Sequence, residues 1–500
     1  MALDLCRLST ALLLVATALS PVPEPARAAA PTVSPPTGAA MDTAVASRMD
    51  DYALERIAAN GTSGLAYAVV GPDGVEHRGL FGTDGHGSPV TGRTPFLWGS
   101  VAKPVAATAA LTLVEDGRLD LDVPVSAYLA EFDGARVDPA VRELLTQTSG
   151  ITEATQLAVT DRYGPGSADV RERVTEVADA APGTPGQHEY SSANYLVLGA
   201  VIAEVTGTDY PSYLRSAVLE PAGMDRTVTG AEDARDLGLA PGQRTLWGLP
   251  APVAPHVDDG GAAYGYLGGD IEALSAFAEL QLSPDPAVLD ADMLAEARTG
   301  TAPLSSGSYG LGWRKVPVSG LEEPVVWHGG SSPGYVAIVV LLPERERAVV
   351  LQQNTYDHLR DGEIQAVGFG LAHLLTGGDS PTEPGADPMR LAVVWGSAAA
   401  TLLAGAGVVV GIGDLRRGYA RRRWSAGLWS GFGVAAVAGT LWLALGPGVR
   451  QALLVVPDVA VAVLVAGGLG ALTALLRLPP WARRLQLAPV RDRLPVDNRP

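Results

Sequence analysis

Cysteine and lysine are nearly absent from this 500-residue sequence. The one cysteine, Cys6, lies in the extreme N-terminal segment, which excludes a disulfide framework, a cysteine-ligated zinc site and a cysteine nucleophile from the body of the chain. Cys6 precedes the apolar run of that segment, so it is not interpreted as a lipid-attachment cysteine. Of the 36 basic residues only Lys103 and Lys315 are lysines. The position of Lys103, three residues after a serine, therefore asks for an explanation.

Histidine is also scarce, and the pattern of the seven histidines argues against a metal site. Their positions, 77, 86, 188, 256, 328, 358 and 373, contain neither H-x-x-x-H nor H-E-x-x-H spacing. No glycine-rich phosphate loop accompanies them. We therefore expect neither a metal ion nor another cofactor.

The charge is unevenly distributed along the chain. Residues 1–389 carry 23 basic and 50 acidic side chains, whereas residues 390–500 carry 13 and 4. Nucleic-acid binding needs a basic surface, so the acidic N-terminal part excludes it as a partner. An acidic surface also keeps a secreted domain soluble.

The N-terminus is typical of a secretory signal peptide. Arg7 precedes an apolar run from about Leu8 to Leu19, and small residues follow at Ala26 and Ala28. We predict a signal peptide over residues 1–28. A linker rich in Pro, Ala, Ser and Thr then covers residues 29–40.

The C-terminal part contains three long apolar runs, 391–413, 428–446 and 452–476, after a spacer at 377–390. At about 1.5 Å per residue each run can cross a hydrocarbon core of about 30 Å. Three transmembrane helices are therefore predicted over residues 391–476. Asp458, the one acidic residue in these runs, is assigned to the outer interface.

Arginine placement predicts the orientation of these helices. Five arginines lie between the first two runs, and six follow Leu476, but the loop between the second and third runs has only Arg450. The positive-inside rule places the first loop and the tail, 477–500, in the cytoplasm. Residues 41–390 are then outside, as the signal peptide also requires.

Residues 41–376 have the pattern of one mixed domain. Alternating apolar residues predict two strands near the start and four short strands between 309 and 354, before a closing helix at 361–375. A helix is predicted from Val101 to about Glu115, and the middle of the domain is mostly helical. We expect an α/β fold of the α+β type, in which helices flank one antiparallel sheet and a helical lobe lies beside it. The functional site is expected in the cleft between them.

Ser100 and Lys103 are spaced to share a face in the first turn of the predicted helix. Free backbone N–H groups and the positive end of the helix dipole lie there. A partly desolvated lysine beside positive potential loses proton affinity, so it can act as a base for the serine hydroxyl. The alternative at this point is a capping serine followed by a surface lysine.

Four further segments accompany this pair: LLTQTSGI (144–151), GQHEYSSANYLVLGAVIAEVTG (186–207), YGLGW (309–313) and VVWHGGSSPGYVAIVVLLPE (325–344). In this order and at roughly these spacings they resemble the serine beta-lactamase-related hydrolases. That family includes class C beta-lactamases, D-alanyl-D-alanine carboxypeptidases and transpeptidases, D-aminopeptidases and related esterases. The resemblance covers about residues 41–375 and leaves out the membrane part.

The resemblance implies roles for the residues that match the family motifs. Ser100 corresponds to the nucleophile that forms an acyl-enzyme, and Lys103 to its activating partner. Tyr190 matches the tyrosine of the Y-x-N motif, a general base and later acid. Ser192 stands where that motif has asparagine.

The third family motif is matched by the H-x-G form at His328, Gly329 and Gly330. The resemblance implies that the backbone N–H groups of Ser100 and Ser331 form the oxyanion hole. The two glycines would let the substrate backbone lie against this strand.

Departures from the family pattern bear on the substrate. Penicillin-hydrolysing members usually have a cationic lysine where His328 stands and an asparagine where Ser192 stands. A neutral histidine and a short hydroxyl weaken both contacts. Gln147, where relatives often have histidine, is a smaller departure. We therefore expect peptidase or esterase activity rather than efficient beta-lactam hydrolysis.

Two other interpretations compete with this one. The GSSPG segment at 330–334 fits the nucleophile elbow of an α/β-hydrolase with Ser332 as the serine, but a strand is predicted where that elbow needs a helix. A catalytically weak, penicillin-binding-like protein of the cell envelope that binds or senses through its helices is left open.

The sequence thus predicts a multi-pass protein of the bacterial cell membrane with an extracellular serine hydrolase domain. Its expected substrates are D-amino-acid peptides, amides or small esters, including peptidoglycan-derived ones.

Overall fold

The computed structural model describes the following residues: 41–164, 169–318, 321, 324–379, 387–417, 423–446 and 448–477. The predicted signal peptide and linker, and all but the first residue of the predicted tail, lie outside the described residues.

One antiparallel sheet of eight strands forms the frame of the domain, in the spatial order β2-β1-β13-β12-β11-β10-β9-β8. Its strands are β1 Gly64–Gly71, β2 Gly74–Gly82, β8 Ala302–Pro303, β9 Ser308–Tyr309, β10 Arg314–Val316, β11 Val325–Ser332, β12 Tyr335–Leu342 and β13 Arg347–Gln353. The return of the chain after residue 300 completes the sheet that β1 and β2 begin, as the sequence predicts.

Smaller strands lie in the chain between the two halves of the sheet. They are β3 Phe96–Leu97, β4 Thr227–Val228 and β7 Gly268–Gly269 in one three-stranded sheet, and β5 Gly242–Leu246 and β6 Leu249–Val253 in a hairpin. The sequence pattern does not predict them, because a strand of two residues has no measurable alternation.

The helices of the domain lie on both faces of the sheet. They are α1 Thr43–Asn60, α2 Ala102–Glu115, α3 Val141–Leu145, α4 Glu153–Val159, α5 Val170–Asp179, α6 Ser192–Thr206, α7 Tyr210–Leu214, α8 Ala231–Asp236, α9 Ile271–Leu282, α10 Ala291–Arg298 and α11 Asp361–Leu375. Helices α1 and α11 cover one face of the sheet, α9 packs on the other, and α2 to α7 form the helical lobe.

The burial of strand β1 shows that the sheet is covered on both faces. All eight of its residues are buried. Leu65, Tyr67 and Val69 pack with α1 and α11, whereas Ala66 and Ala68 pack with the core of the lobe side. The small residues on the second face admit close packing there. Burial on two faces removes apolar area from water at about 25 cal/mol per Å² and holds both layers to one sheet.

Three long apolar helices follow the domain: α12 Pro388–Arg417, α13 Arg423–Leu445 and α15 Pro457–Leu475, with the short α14 Val449–Val455 between the last two. Each long helix contains a stretch of 19 residues or more that is apolar enough to cross a membrane. Most large exposed apolar side chains in the described residues belong to these helices. We call α12 to α15 the membrane module.

The third apolar run begins differently from the predicted boundary at 452. Residues 449–455 form a separate helix, and the long helix starts only at Pro457. Val456 has non-helical backbone angles, φ −134° and ψ 62°. Proline lacks the N–H group that would continue a helix, and its ring disfavours helical angles at the preceding residue.

Candidate active site

A cavity of about 530 Å³ lies where the sheet, the lobe and the membrane module meet. Four of the sequence-predicted site residues line it: Ser100, Tyr190, Ser192 and Ser331. The other four, Lys103, His328, Gly329 and Gly330, lie behind this surface. The structure therefore brings all eight into one region.

Ser100 lies in a 3₁₀ turn, Gly99–Val101, that leads directly into α2. Within β11, only Val325–Trp327 pair with β10. The rest of that edge of β11 is therefore open for the turn. Contact there is so close that a methyl group at Gly99 would lie 2.3 Å from the Ser331 nitrogen. A methyl group at Gly330 would lie 2.3 Å from the Ser100 nitrogen. The backbone nitrogens of Ser100 and Ser331 therefore both lie at this close contact between the turn and β11.

The glycines of the H-x-G motif have contacts within the protein that are independent of the substrate contact we expect. Gly330 faces Ser100 and the carbonyl oxygen of Trp98, which a methyl group would approach to 2.0 Å. Gly329 faces the other side of the sheet, where a methyl group would lie 2.3 Å from the side-chain oxygen of Gln365 in α11. Packing against backbone atoms thus demands glycine at position 330, whereas at position 329 the contact is with the end of a flexible side chain.

Lys103 is fully buried and has three polar contacts. Its Nζ lies 2.9 Å from Ser100 Oγ, 2.9 Å from Ser192 Oγ and 2.7 Å from the carbonyl oxygen of Tyr264. Burial, and then the positive charge of Arg314, hold the pKa of Lys103 well below that of lysine in water. An amine in this position has a lone pair available for the proton of Ser100.

Tyr190 contacts both members of this pair. Its hydroxyl is hydrogen-bonded to Ser100, and Lys103 Nζ lies 5.0 Å from the centre of its ring. Burial raises the pKa of Tyr190 to about 12, although the hydrogen bond and the charge of Arg314 act in the opposite direction. The phenol therefore carries its proton at neutral pH.

Gln147 positions the segment that carries Tyr190. Its backbone oxygen accepts from Glu189 N at 2.9 Å, and its side-chain oxygen accepts from Ser191 N at 2.9 Å and from Asn194 Nδ2 at 2.6 Å. Gln147 is buried and has φ +62°, an unusual backbone conformation for a residue other than glycine. The LLTQTSG segment thus holds both residues that flank the tyrosine.

His328 is buried beside Tyr309 and Tyr190. Its Nδ1 lies 2.8 Å from the Gly329 carbonyl oxygen and its Nε2 lies 3.1 Å from the Tyr309 hydroxyl. A carbonyl oxygen can only accept, so Nδ1 carries the proton and Nε2 accepts from the tyrosine. Burial, followed by the charges of Arg314 and Lys103, lowers the pKa of His328 well below 6.5. The imidazole is neutral, as the sequence predicts.

Arg314 supplies the positive charge that the histidine does not. Its guanidinium carbon lies 5.1 Å from the ring centre of Tyr190, 5.5 Å from that of Tyr309 and 5.7 Å from that of Trp327. Cations bind favourably over aromatic rings. The other lysine of the chain, Lys315, is exposed. Of these two neighbouring cations, Arg314 is the one beside the site.

Sequence reasoning missed the loop that holds Lys103 from behind. Tyr264 provides the backbone acceptor for the amine, and its hydroxyl donates to the buried carboxylate of Asp258. Arg173 donates to both oxygens of that carboxylate, at 2.7 and 2.8 Å. The only signal in the sequence is the glycine-rich run GGAAYGYLGG at 260–269.

The structure also bears on the competing interpretations. Strand β12 begins at Tyr335, directly after the GSSPG segment, so the helix of an α/β-hydrolase elbow is missing there. No group of three or more His, Cys, Asp or Glu side chains that could hold a metal ion occurs among the residues that the structure describes.

Comparison with known proteins agrees with this geometry. Residues 41–369 match the family model described as beta-lactamase. The Bacillus subtilis (strain 168) protein PbpX, which is named for the penicillin-binding proteins, is 28% identical over 274 residues, 54% of this chain and 65% of its own length. An unguisins hydrolase of Aspergillus campestris is 28% identical over 325 residues, 58% of either protein. The chain thus matches less than two thirds of the length of these relatives.

Solved structures share the fold. The octameric penicillin-binding protein homologue of Pyrococcus abyssi superposes with a TM-score of 0.60 at 24% identity, over 69% of this chain and 79% of its own. The D-amino acid amidase of Ochrobactrum anthropi SV3 gives 0.56 at 23% identity, over 67% and 99%. With the family model matched over most of residues 41–376, the chain belongs to the beta-lactamase family of serine hydrolases.

Proposed function

We propose that this protein is a membrane-anchored serine hydrolase that forms an acyl-enzyme on Ser100. The observation that carries the proposal is the environment of Lys103, whose fully buried amine lies 2.9 Å from the Ser100 hydroxyl. No carboxylate of the described residues contacts this amine. Burial and the charge of Arg314 lower the pKa of Lys103 against the weaker attraction of Asp161, which favours the neutral form, the form that can take a proton.

Acylation uses Lys103 as base and Tyr190 as acid. Two hydrogens of the neutral amine go to the Tyr264 carbonyl and the Ser192 hydroxyl, so its lone pair points to Ser100. Ser100 Oγ attacks the substrate carbonyl carbon as its proton passes to Lys103. The bond to the leaving nitrogen or oxygen then breaks, and that atom takes the proton of Tyr190. The N–H groups of Ser100 and Ser331 stabilise the negative oxygen in between.

Deacylation returns both protons. The Tyr190 phenolate takes a proton from the attacking water, and the hydroxide oxygen bonds to the acyl carbon. The Ser100 oxygen then leaves with the proton that Lys103 holds. Lysine, tyrosine and serine are restored, and a carboxylic acid is released.

Peptides or amides of D-amino acids and small esters are the proposed substrates, including peptidoglycan-derived ones. Ser192 uses its hydroxyl on Lys103 and His328 is buried and neutral, so neither offers the contacts expected of an efficient beta-lactamase. The names of two structural neighbours, a D-stereospecific amidohydrolase of Streptomyces sp. and the D-amino acid amidase, agree with this class.

The domain is proposed to face the outside of the cell. It lies at the end of the membrane module that holds Pro388, Leu445 and Pro457. Helix α12 ends at Arg417 and α13 begins at Arg423, both at the other end of the module, and the positive-inside rule expects the arginines of this part of the sequence in the cytoplasm.

The proposal is tested by intact-mass analysis of the purified full-length chain in detergent, after incubation with a fluorophosphonate and separately with a penicillin. We expect one fluorophosphonate adduct that is absent from Ser100→Ala. Ser332→Ala serves as the matched serine variant, because Ser332 also lines the cavity but is assigned no nucleophilic role. Loss of the adduct in Ser332→Ala instead would contradict the assignment. No adduct on the folded chain would favour a non-catalytic binding or sensing protein.

A further inference from the structure

The membrane module forms one wall of the candidate active site. Besides the serines and Tyr190, the cavity is lined by residues of the module. Apart from the polar Gln451 they are apolar, and the larger ones include Val393, Trp442, Leu443, Leu454, Val456 and Val459. They come from all three long helices and from the segment that joins α13 to α15. One end of the cavity is therefore polar and the other is apolar.

Three sets of contacts hold the domain to the module around this cavity. Arg450 donates to the backbone oxygens of Leu157, Thr160 and Asp161, at 2.9, 3.3 and 2.9 Å. These oxygens belong to the end of α4 and the residues that follow it, where a cation is favoured by the helix dipole.

The other two contacts involve the β5–β6 hairpin. Arg244 donates to the Leu454 carbonyl oxygen at 3.1 Å, and the backbone N–H of Trp247 donates to the Asp458 carboxylate at 3.0 Å. Asp458 thus binds the domain at the start of α15.

The apolar wall lies at the depth where the helices enter the bilayer. Val393 is five residues after the start of α12, Leu443 two before the end of α13, and Val459 two after the start of α15. At about 1.5 Å per residue these positions are within about 8 Å of the helix ends. Trp442, which is 72% exposed, is at the same level. Tryptophan is enriched at this interface of membrane proteins.

We infer from this arrangement, and on the basis of the function proposed above, that the site takes amphipathic esters or amides whose long apolar chain lies against the membrane module. The scissile carbonyl reaches Ser100 at the polar end, and the chain extends past Leu454 and Val456 toward Trp442. A substrate embedded in the outer leaflet enters the cavity without leaving the bilayer interface.

The test is a chain-length series of 4-nitrophenyl esters, from acetate to dodecanoate, with the full-length chain in detergent. Burial of each CH₂ group favours binding, so we expect kcat/KM to be at least about tenfold higher for the dodecanoate than for the acetate. A constant or falling kcat/KM along the series, after correction of each ester concentration for the fraction held in micelles, would overturn the inference.

Leu454→Asn and Leu453→Asn form a matched pair of variants. Leu454 lines the cavity, whereas its neighbour Leu453 is exposed and does not. We expect the dodecanoate-to-acetate ratio to fall about tenfold in Leu454→Asn and to stay at the wild-type value in Leu453→Asn. Because all variants meet the same micelles, partition of the long ester into detergent cancels in the comparison. Equal ratios in the two variants would contradict the placement of the chain.

Failure of the inference is distinguishable from failure of the proposed function. If the acetate is hydrolysed and Ser100 is labelled without a chain-length effect, the proposed hydrolase function is supported and the apolar subsite is refuted. If neither ester is hydrolysed and Ser100 is not labelled, the proposed function itself fails.

Discussion

At the scale of residues, the unusual feature of the site is a cation, Arg314, held near a fully buried lysine amine that no carboxylate of the described residues contacts. Arg314 lies over the ring of Tyr190, and its charge lowers the pKa of both Lys103 and His328. A cation that rests on aromatic rings keeps its charge, whereas a neighbouring carboxylate would cancel it. We therefore interpret Arg314 as the residue that adds to burial in keeping Lys103 available as a base.

Replacing Arg314 by Gln is expected to move the pH profile of kcat/KM. Activity rises with pH as Lys103 loses its proton, and removal of the arginine charge raises the pKa of Lys103. We expect the acid limb of the profile to shift to higher pH. Arg314→Lys keeps a positive charge and should keep the acid limb near its wild-type position. An unchanged acid limb in Arg314→Gln would refute the electrostatic role.

The candidate reacting groups could be predicted from the sequence, but the contacts that hold them in place could not. Ser100, Lys103 and Tyr190 are recognisable by spacing and by resemblance to the family. The requirement for Gly99 and Gly330 depends on a turn and a strand that are more than 200 residues apart in the chain. A long-range contact of this kind leaves no local pattern in the sequence.

At the scale of elements, the loop that carries Tyr264 depends on helix α5. Arg173 and Asp258 are almost completely buried and make a bidentate pair. The same carboxylate accepts from the Tyr264 hydroxyl, and the Tyr264 backbone oxygen accepts from Lys103. The pair therefore ties α5 to the amine of the site through one loop.

Arg173→Met is expected to destabilise the domain by about 3–5 kcal/mol, because it leaves the Asp258 carboxylate buried without its partner. Denaturant unfolding of the full-length protein measures the loss. The double variant Arg173→Met, Asp258→Leu removes both charges and should recover much of the stability. If the double variant is no more stable than Arg173→Met, the loss comes from packing rather than from the unpaired charge.

Strands and helices with a long regular pattern of apolar residues could be predicted from the sequence. Those that form only through tertiary contacts could not. The strands β1, β11, β12 and β13 and the closing helix α11 follow from their apolar residues and turns. The small sheet of β3, β4 and β7 forms because Gly268 and Gly269 allow two other segments to approach on either side. Glycines predict such an approach only after the partners are known.

At the scale of the whole molecule, three packed helices provide more than an anchor. Helix α15 packs against both α12 and α13. Thr401 donates to the Ala462 carbonyl and Thr440 to the Val463 carbonyl, at 2.9 and 3.0 Å. Threonine hydroxyls and close-packed small residues are the usual means of helix association in membranes. A single helix would offer the domain no such rigid, shaped surface to dock on.

Arg450 is the residue on which this docking can be tested. Arg450→Gln removes a cation from three backbone oxygens, a change of about 1.5–3 kcal/mol for hydrogen bonds to a charged group. We expect faster hydrogen exchange at the amides of Thr160 and Ala452, which are hydrogen-bonded on the two sides of the contact. Arg416→Gln, at the far end of α12, should leave both amides unaffected. Because exchange reports local opening, equal protection in the wild type and in Arg450→Gln would mean that other contacts hold the domain to the membrane module.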